Sequence, residues 1–379
     1  MNKSLLYGLN SVFFDSILRY RGADFEKVGA CHYKIAGFKE FNYLIDINHC
    51  FSTAPMGDIV DRTGQVAMPM NWHIDRPWCA NRNPILDLDT CFESRVQELT
   101  SLGQKVNLLW SGGIDSTAML AGFLKHCNDY SQIRVIHSVY SIKENPRVYL
   151  DLLENSKIEM IEFGGDIYME QNYDGVFVSA DVADDITASI DESFFAKVGY
   201  DGLQGSWKDF FRQRINDDRF IDFCEQYFSI STIPITTVLQ ARWWFYTKCK
   251  TQRWSNEKCR VLRDNQPLPV PFFDTDEFEN YAYHNIDSMV TDHRYDSYKQ
   301  PLKDYIYEFN RDDDYRRFKR KENSYQLQYF TKKLMALKST EYIMLLRDGT
   351  RIRTPSLPLI SQHEFEKTHG DSLEYLFNF

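Results

Sequence analysis

Apolar residues in the middle of this chain come in short unbroken runs, each followed by turn residues and then by a helical pattern. VNLLW (Val106–Trp110) reads as a buried strand, Ser111–Ser116 as a tight loop and Thr117–Lys125 as an apolar helix. RVIHSVYSI (134–142) predicts a second buried strand, NPRVYLDLLENS a helix and IEMIEF a short strand. GVFVSA (175–180) predicts another strand, closed by the acidic turn DVADD. Strands alternating with helices pair in parallel, so the pattern predicts an α/β fold with a doubly wound sheet. Ligands of such sheets sit beyond the carboxyl ends of the strands, and both SGGIDS and SADVADD fall at that edge.

Before this block, residues 1 to about 70 alternate short β-like runs (HYKIAG, NYLIDIN, GQVAMP) with turn residues, and Ser11–Tyr20 is the first helix-like piece. This predicts a small, β-rich α+β region. Trp72–Pro84 is irregular, with two prolines and two tryptophans, and reads as a linker dividing the chain into 1–85 and 86–379. Asp89 or Thr90 is placed to cap a helix running to about Leu102, with Glu93 near its positive end. From about Ser193 the text is mostly helical and aromatic-rich, as in TTVLQARWWFYTKCK, and is expected to pack on the sheet and wall its pocket.

Length and charge narrow the function classes. A chain of 379 residues holds two domains of ordinary size. A net charge of −10 disfavours a general nucleic-acid binder. No apolar run reaches the roughly 18 residues of a membrane span, and the first residues lack the pattern of a secretory signal. The cysteines at 31, 50, 79, 91, 127, 224, 249 and 259 form no CxxC pair. They read as reduced thiols, and the chain is expected to be cytoplasmic.

The candidate chemistry centres on SGGIDS. A loop leading into a helix leaves backbone N–H groups unpaired at the positive end of the helix dipole, where a phosphate is the expected guest. Gly112 and Gly113 would let the backbone approach it closely. No lysine follows in the Walker manner. Instead Asp115 lies within the cradle, and a carboxylate beside phosphates calls for a bridging cation such as Mg²⁺. The plainer alternative is a glycine turn with a helix-capping Asp or Ser.

The stretch SGGIDS resembles the pyrophosphate-loop signature of the N-type ATP pyrophosphatases, which split ATP between the α and β phosphates and adenylate a substrate. Three later stretches favour the asparagine synthetase branch. GVFVSADVADDITAS is similar to its S-G-[ED]-G-x-D-E-L segment, with Ser179, Asp181, Asp184 and Asp185 on its polar positions. PVPFFDTDEFENYAYHN resembles its P-F-L-D stretch, and YDSYKQPLKDYIYEF its K-x-x-L-[RK] segment. The resemblance covers about residues 88 to 325. It implies a sheet of the adenine nucleotide alpha hydrolase-like type, ATP and Mg²⁺ as cofactors, and Asp115 and Asp184 as metal ligands. Ser111, Gly112, Gly113, Asp115 and Ser116 would hold the phosphates, and the backbone at Val139 and Tyr140 would read the adenine edge. Lys299 would neutralise charge on the α-phosphate, and Asp181 would orient or deprotonate an attacking amine.

Two departures qualify the resemblance. The chain begins Met1-Asn2-Lys3, whereas the glutamine-dependent members begin with a cysteine nucleophile on a glutaminase domain. No glutaminase activity is expected, and the amine would be free ammonia, the product of a separate donor or a small-molecule amine. Ala180 and Ala183 stand where the family has glycines, which leaves the activated acid open. The expected function is AMP-forming amide or C–N ligation of a small carboxylate or carbonyl substrate. The alternatives are a nucleobase- or tRNA-modifying enzyme and a non-catalytic nucleotide-binding scaffold.

Other features admit two readings. DDDYRRFKRKENS (312–324) is either a nucleic-acid contact or a helix face whose charges pair locally. The aromatics of residues 239–254 are either a stacking platform or a core helix. His137 reads as an interior histidine. Asp292, His293 and Arg294 lie just before Lys299 and are candidates for lining the pocket.

Overall fold

The computed structural model describes residues 23–28, 32–51, 59–72, 74, 76–77, 86–154, 156–163, 173–188, 190, 192–249, 269–290, 298–319, 341–345 and 351–355. The expected helix at Ser11–Tyr20, most of the Trp72–Pro84 linker, Asp292–Arg294, residues 320–324 and Cys31, Cys79 and Cys259 lie outside these. The chain divides into two compact units, each discontinuous in sequence. One is Met1–Ala80, Asp191–Arg260 and Met335–Phe379; the other is Asn81–Ile190 and Val261–Leu334. This partition departs from the linear boundary expected at 85/86: Asp191–Arg260 groups with the N-terminal residues.

In chain order the strands are β1 (Phe25–Val28), β2 (His32–Ile35), β3 (Val106–Leu109), β4 (Ile133–His137), β5 (Glu159–Glu162), β6 (Val176–Ser179), β7 (Val270–Pro271), β8 (Glu341–Leu345) and β9 (Arg351–Pro355). The helices discussed below are α1 (Lys39–Cys50), α2 (Leu88–Thr100), α3 (Ile114–His126), α4 (Val139–Glu144), α5 (Ala183–Ile186), α6 (Glu192–Gln204), α7 (Trp207–Arg212), α8 (Asp218–Ser229), α9 (Val238–Cys249), α10 (Asp276–Asn285), α11 (Gln300–Asn310) and α12 (Asp313–Phe318).

The second unit is α/β, built on a five-stranded parallel sheet of order β5-β4-β3-β6-β7. Every residue of β3 and β4 is buried, as in strands covered on both faces. Leu109, Ile136 and Phe177, from three adjacent strands, form one core cluster. At the opposite end, Asn107 and Arg134 are register partners, as are Arg134 and Glu159. Arg134 donates to both neighbours at 2.9 Å. Pro271 lacks an N–H for a ladder and sits on the edge strand, where none is needed. The chain builds outward from β3 through β4 to β5, then reverses to β6 and β7, so the topological switch lies between β3 and β6.

Helix α2 is capped by Asp87, whose carboxylate accepts from the Thr90 N–H at 2.8 Å. Asp89, one of the two expected caps, instead ties helices together: it accepts from His126 at 2.8 Å and Tyr305 at 3.2 Å, and pairs with Lys125 at 2.8 Å. Phe92 stacks on Tyr305 with centroids 4.0 Å apart and packs edge-on against Phe273 and Phe278.

The first unit has a β1–β2 antiparallel hairpin, a β8–β9 hairpin and an aromatic helical core. NYLIDIN is not a β-like run but part of α1, because Phe41, Leu44, Ile45 and Asn48 bury one helical face. Asn42 satisfies the end of β2 in place of a strand, bonding both the N–H and the carbonyl of Ile35. GQVAMP forms no strand; Val66 N–H donates to buried Asp61, which also accepts from Tyr227 at 2.9 Å. Helix α9 is buried on almost every side, the core reading of the aromatic run. Phe51 contacts Phe194, Phe210, Phe211 and Phe245.

The contact between α2 and α3 depends on Gly122, where a Cβ would lie 2.4 Å from Cδ1 of Phe92. Alanine favours the helix by about 1 kcal/mol over glycine, whereas overpacking a core costs about 1–3 kcal/mol. Phe92 is held against Tyr305 and cannot withdraw freely, so the clash wins. Gly122→Ala is expected to lower unfolding free energy by about 1–2 kcal/mol in urea titration; a variant as stable as the parent would mean that Phe92 shifts without cost.

Candidate functional site

The candidate site forms where β3 and β6 end. Trp110 N–H donates to Ile136 carbonyl at 2.9 Å, extending β3 by one rung, and its indole donates to Thr117 Oγ1 at 3.1 Å. That bond pins the end of the strand to the first turn of α3. The helix starts at Ile114, three residues earlier than expected, so Asp115 and Ser116 lie within its first turn. Gly113 is the N-cap and carries no side chain to cap the helix. The first-turn amides therefore stand at the positive end of α3 without a capping side chain.

The two glycines do different work. Gly112 has φ +84°, and a Cβ there would lie 2.3 Å from Ser141 carbonyl oxygen and 2.8 Å from Glu144 Cβ. Its missing side chain makes room for α4 rather than for a guest. At Gly113 a Cβ would meet only Ser111 Oγ, at 3.5 Å, so that side of the loop is open. Ser111 and Ser116, expected to hold phosphates, brace the loop in this state. Their hydroxyls are 2.9 Å apart, Ser111 N–H donates to Ser116 Oγ, and Ser116 Oγ donates to Gly113 carbonyl.

Asp115, Asp184 and Lys299, separated widely in sequence, converge on one point. Lys299 Nζ lies 2.6 Å from both carboxylate oxygens of Asp115 and 2.7 Å from Oδ1 of Asp184. The lysine side chain is 4% exposed, against 29% and 46% for the two carboxylates. Burial pulls the ammonium towards neutrality, but the two carboxylates outweigh it and hold its pKa well above the usual lysine value. Tyr298 is buried beside it, the ammonium 5.5 Å from the ring centre, and burial pushes its phenol up.

Asp181 lies in the turn before α5, which carries Asp184 in its first turn, and accepts from Ser179 Oγ at 2.6 Å. Between them Val182 has φ +74°, and Lys299 itself has φ +50°. A left-handed conformation costs a non-glycine residue about 1–3 kcal/mol, most for a β-branched one. The two loops that deliver Asp184 and Lys299 are thus both strained.

Val139 and Tyr140 are not on a strand. β4 ends at His137, and Ser138 opens α4 through a capping box in which its hydroxyl and that of Ser141 bond each other's backbone N–H. The expected strand over 134–142 is corrected accordingly, and the two residues form the first turn of a helix, with Val139 40% exposed. His137 is interior, and burial lowers its pKa.

Three residues that sequence reasoning passed over also line this end of the unit. Tyr298 was adjacent to the lysine motif. Tyr315, on α12, is half-buried beside Thr117 and Asn145, and desolvation of its hydroxyl pushes the phenol up. Lys319, from the basic run, pairs at 3.1 Å with Glu144, whose side chain is 4% exposed and stands behind Gly112. Arg316 and Arg147, by contrast, pair with Asp304 and Asp312. Of the described part of the basic run, Asp312, Arg316 and Lys319 are thus paired within the protein, while Arg317 is exposed.

Among the described residues no group of three or more His, Cys, Asp or Glu side chains is arranged to hold a metal. Asp115 and Asp184 supply two carboxylates within reach of one cation, and Mg²⁺ takes one or two carboxylates with substrate phosphates and water as its other ligands. The pair fits such an ion; in this structure the cation between the carboxylates is the Lys299 ammonium.

Because the ammonium pKa is raised, its contribution to stability is complete below the ordinary lysine value of about 10.4 and fades only as pH rises through the higher folded value. Lys299→Met would leave two facing carboxylates whose pKa values rise. The variant is expected to lose about 1–3 kcal/mol near neutral pH, a range discounted for the partial exposure of the acids, and less at pH 4. Urea denaturation at both pH values tests this, and a deficit independent of pH would count against carboxylate repulsion.

Compared with known proteins, the chain matches no family model, no characterised protein and no solved structure.

Proposed function

We propose that this protein is an ATP-dependent, AMP-forming carbon–nitrogen ligase, with an asparagine synthetase-like domain on a sheet of the adenine nucleotide alpha hydrolase-like type. One observation carries the reading. Asp115, Asp184 and Lys299, each singled out from a separate motif, meet within 2.7 Å of one nitrogen atom. They do so beside the switch point of a parallel sheet, the place where such sheets bind ligands.

In this reading the open face of Gly113 and the first turn of α3 receive the phosphates of ATP. Asp115 and Asp184 would hold Mg²⁺, which would supply charge neutralisation for the phosphates. Lys299 stabilises negative charge as it builds on the α-phosphoryl group during in-line attack by a carboxylate or carbonyl oxygen. An amine, free or delivered by a separate donor, then displaces AMP. Asp181, held by Ser179, orients that amine.

One observation favours a second reading. The Lys299 ammonium already fills the position between the two carboxylates, so a protein that binds ATP without turning it over is a coherent alternative. Incubation with Mg-ATP, a panel of small acids and ammonia separates the two. The ligase reading expects AMP and pyrophosphate in equal amounts, with Asp115→Asn and Lys299→Ala each slowing release by about 100-fold or more while circular dichroism stays that of the parent. ADP as the main product would overturn it, and bound but unconsumed ATP would favour the scaffold.

A further inference from the structure

The first unit contains a cavity of about 320 Å³ that the nucleotide reading does not use. Two helices build it with matching faces. Asp46, His49 and Cys50 occupy positions i, i+3 and i+4 of α1, and Phe194, Lys197 and Val198 occupy the same positions of α6, ahead of its kink at Gly199. Arg214, in the turn after α7, completes the rim.

The lining is divided by chemistry. His49, Lys197 and Arg214 are exposed at the mouth, whereas Phe194 and Cys50 are buried beneath it. Burial pushes the Cys50 thiol up to about 12, so it is a neutral, soft surface and not a nucleophile. Asp46 is the one acid of the lining, and Lys34 neutralises it at 2.7 Å. Arg214 is held in place: its guanidinium sits 3.6 Å over the Phe210 ring, and Nη1 donates to Phe210 carbonyl at 2.9 Å. Among the described residues that is its one hydrogen bond, out of five N–H donors. A chain of net charge −10 thus keeps a basic rim over an apolar floor.

We propose that this cavity binds a small amphipathic monoanion, its carboxylate between Lys197 and Arg214 and its apolar body against Phe194, Val198 and Cys50. The volume holds roughly ten water-sized groups, enough for a carboxylate on a ring or a short chain. A fixed guanidinium fork suits a carboxylate, and the neighbouring lysine adds a second charge.

Calorimetric titration of the full chain with 3-phenylpropionate, 3-phenylpropanamide and inorganic phosphate tests the assignment without ATP. The carboxylate is expected to bind at least about tenfold more tightly than the neutral amide, the effect of a hydrogen-bonded charge. Lys197→Ala and Arg214→Gln should each weaken it about tenfold with unchanged melting temperature, and Arg214→Lys should recover part of the loss. Equal binding of acid and amide, binding that survives both substitutions, or no heat at millimolar carboxylate would overturn the proposal. Phosphate bound as tightly as the carboxylate would overturn its apolar half.

Discussion

The carboxyl end of the parallel sheet is organised by a single ammonium shared by two carboxylates. Lys299 has left water almost completely, and such a group is tolerated only with compensating charge. Asp115 and Asp184 provide it from two different strand ends, and each of them in turn needs the lysine to stand so near the other. Three loops are thereby fixed to one point. The cost of that arrangement is visible in the backbone, since Val182 and Lys299 are held in left-handed conformations that their side chains disfavour. A triad kept in spite of strain in the loops that supply it fits a site under functional constraint better than a fortuitous surface ion pair.

The loop itself is rigid for reasons that have little to do with a ligand. Trp110 ties strand to helix, the Ser111 and Ser116 hydroxyls brace the turn, and Gly112 is committed to close contact with α4. What remains for a guest is the Gly113 side and the first-turn amides of α3. The division explains why a single stretch combines two glycines with two serines: one glycine serves packing, the other access.

Much of the parallel sheet was legible because its central strands are buried on both faces and so read as unbroken apolar runs. VNLLW and GVFVSA mark such strands, whereas IEMIEF, also a strand, lies on the sheet edge and is only partly covered. The convergence of Asp115, Asp184 and Lys299 was legible only through motif order, since nothing local in the sequence states that positions so far apart meet. Errors arose where two periodicities compete. NYLIDIN alternates over a few residues, yet Phe41, Leu44, Ile45 and Asn48 bury a helical face. RVIHSVYSI stays apolar past His137, but Ser138 and Ser141 have the spacing of a capping box and stop the strand. The strain at Val182 had no signature, because a β-branched residue is the last type expected at positive φ.

The discontinuity of the two units has a consequence for biosynthesis. Val270 and Pro271, which complete the sheet, and Lys299, which joins the two acids, are translated only after the whole of Asp191–Arg260 has been synthesised. Until then Asp115 and Asp184 belong to a nascent sheet that lacks both its last edge and their shared counter-ion. The triad is thus among the last parts of its unit to be assembled, and a ribosome stalled between Ser116 and Lys299 carries a chain with the loop signature but without the shared ammonium.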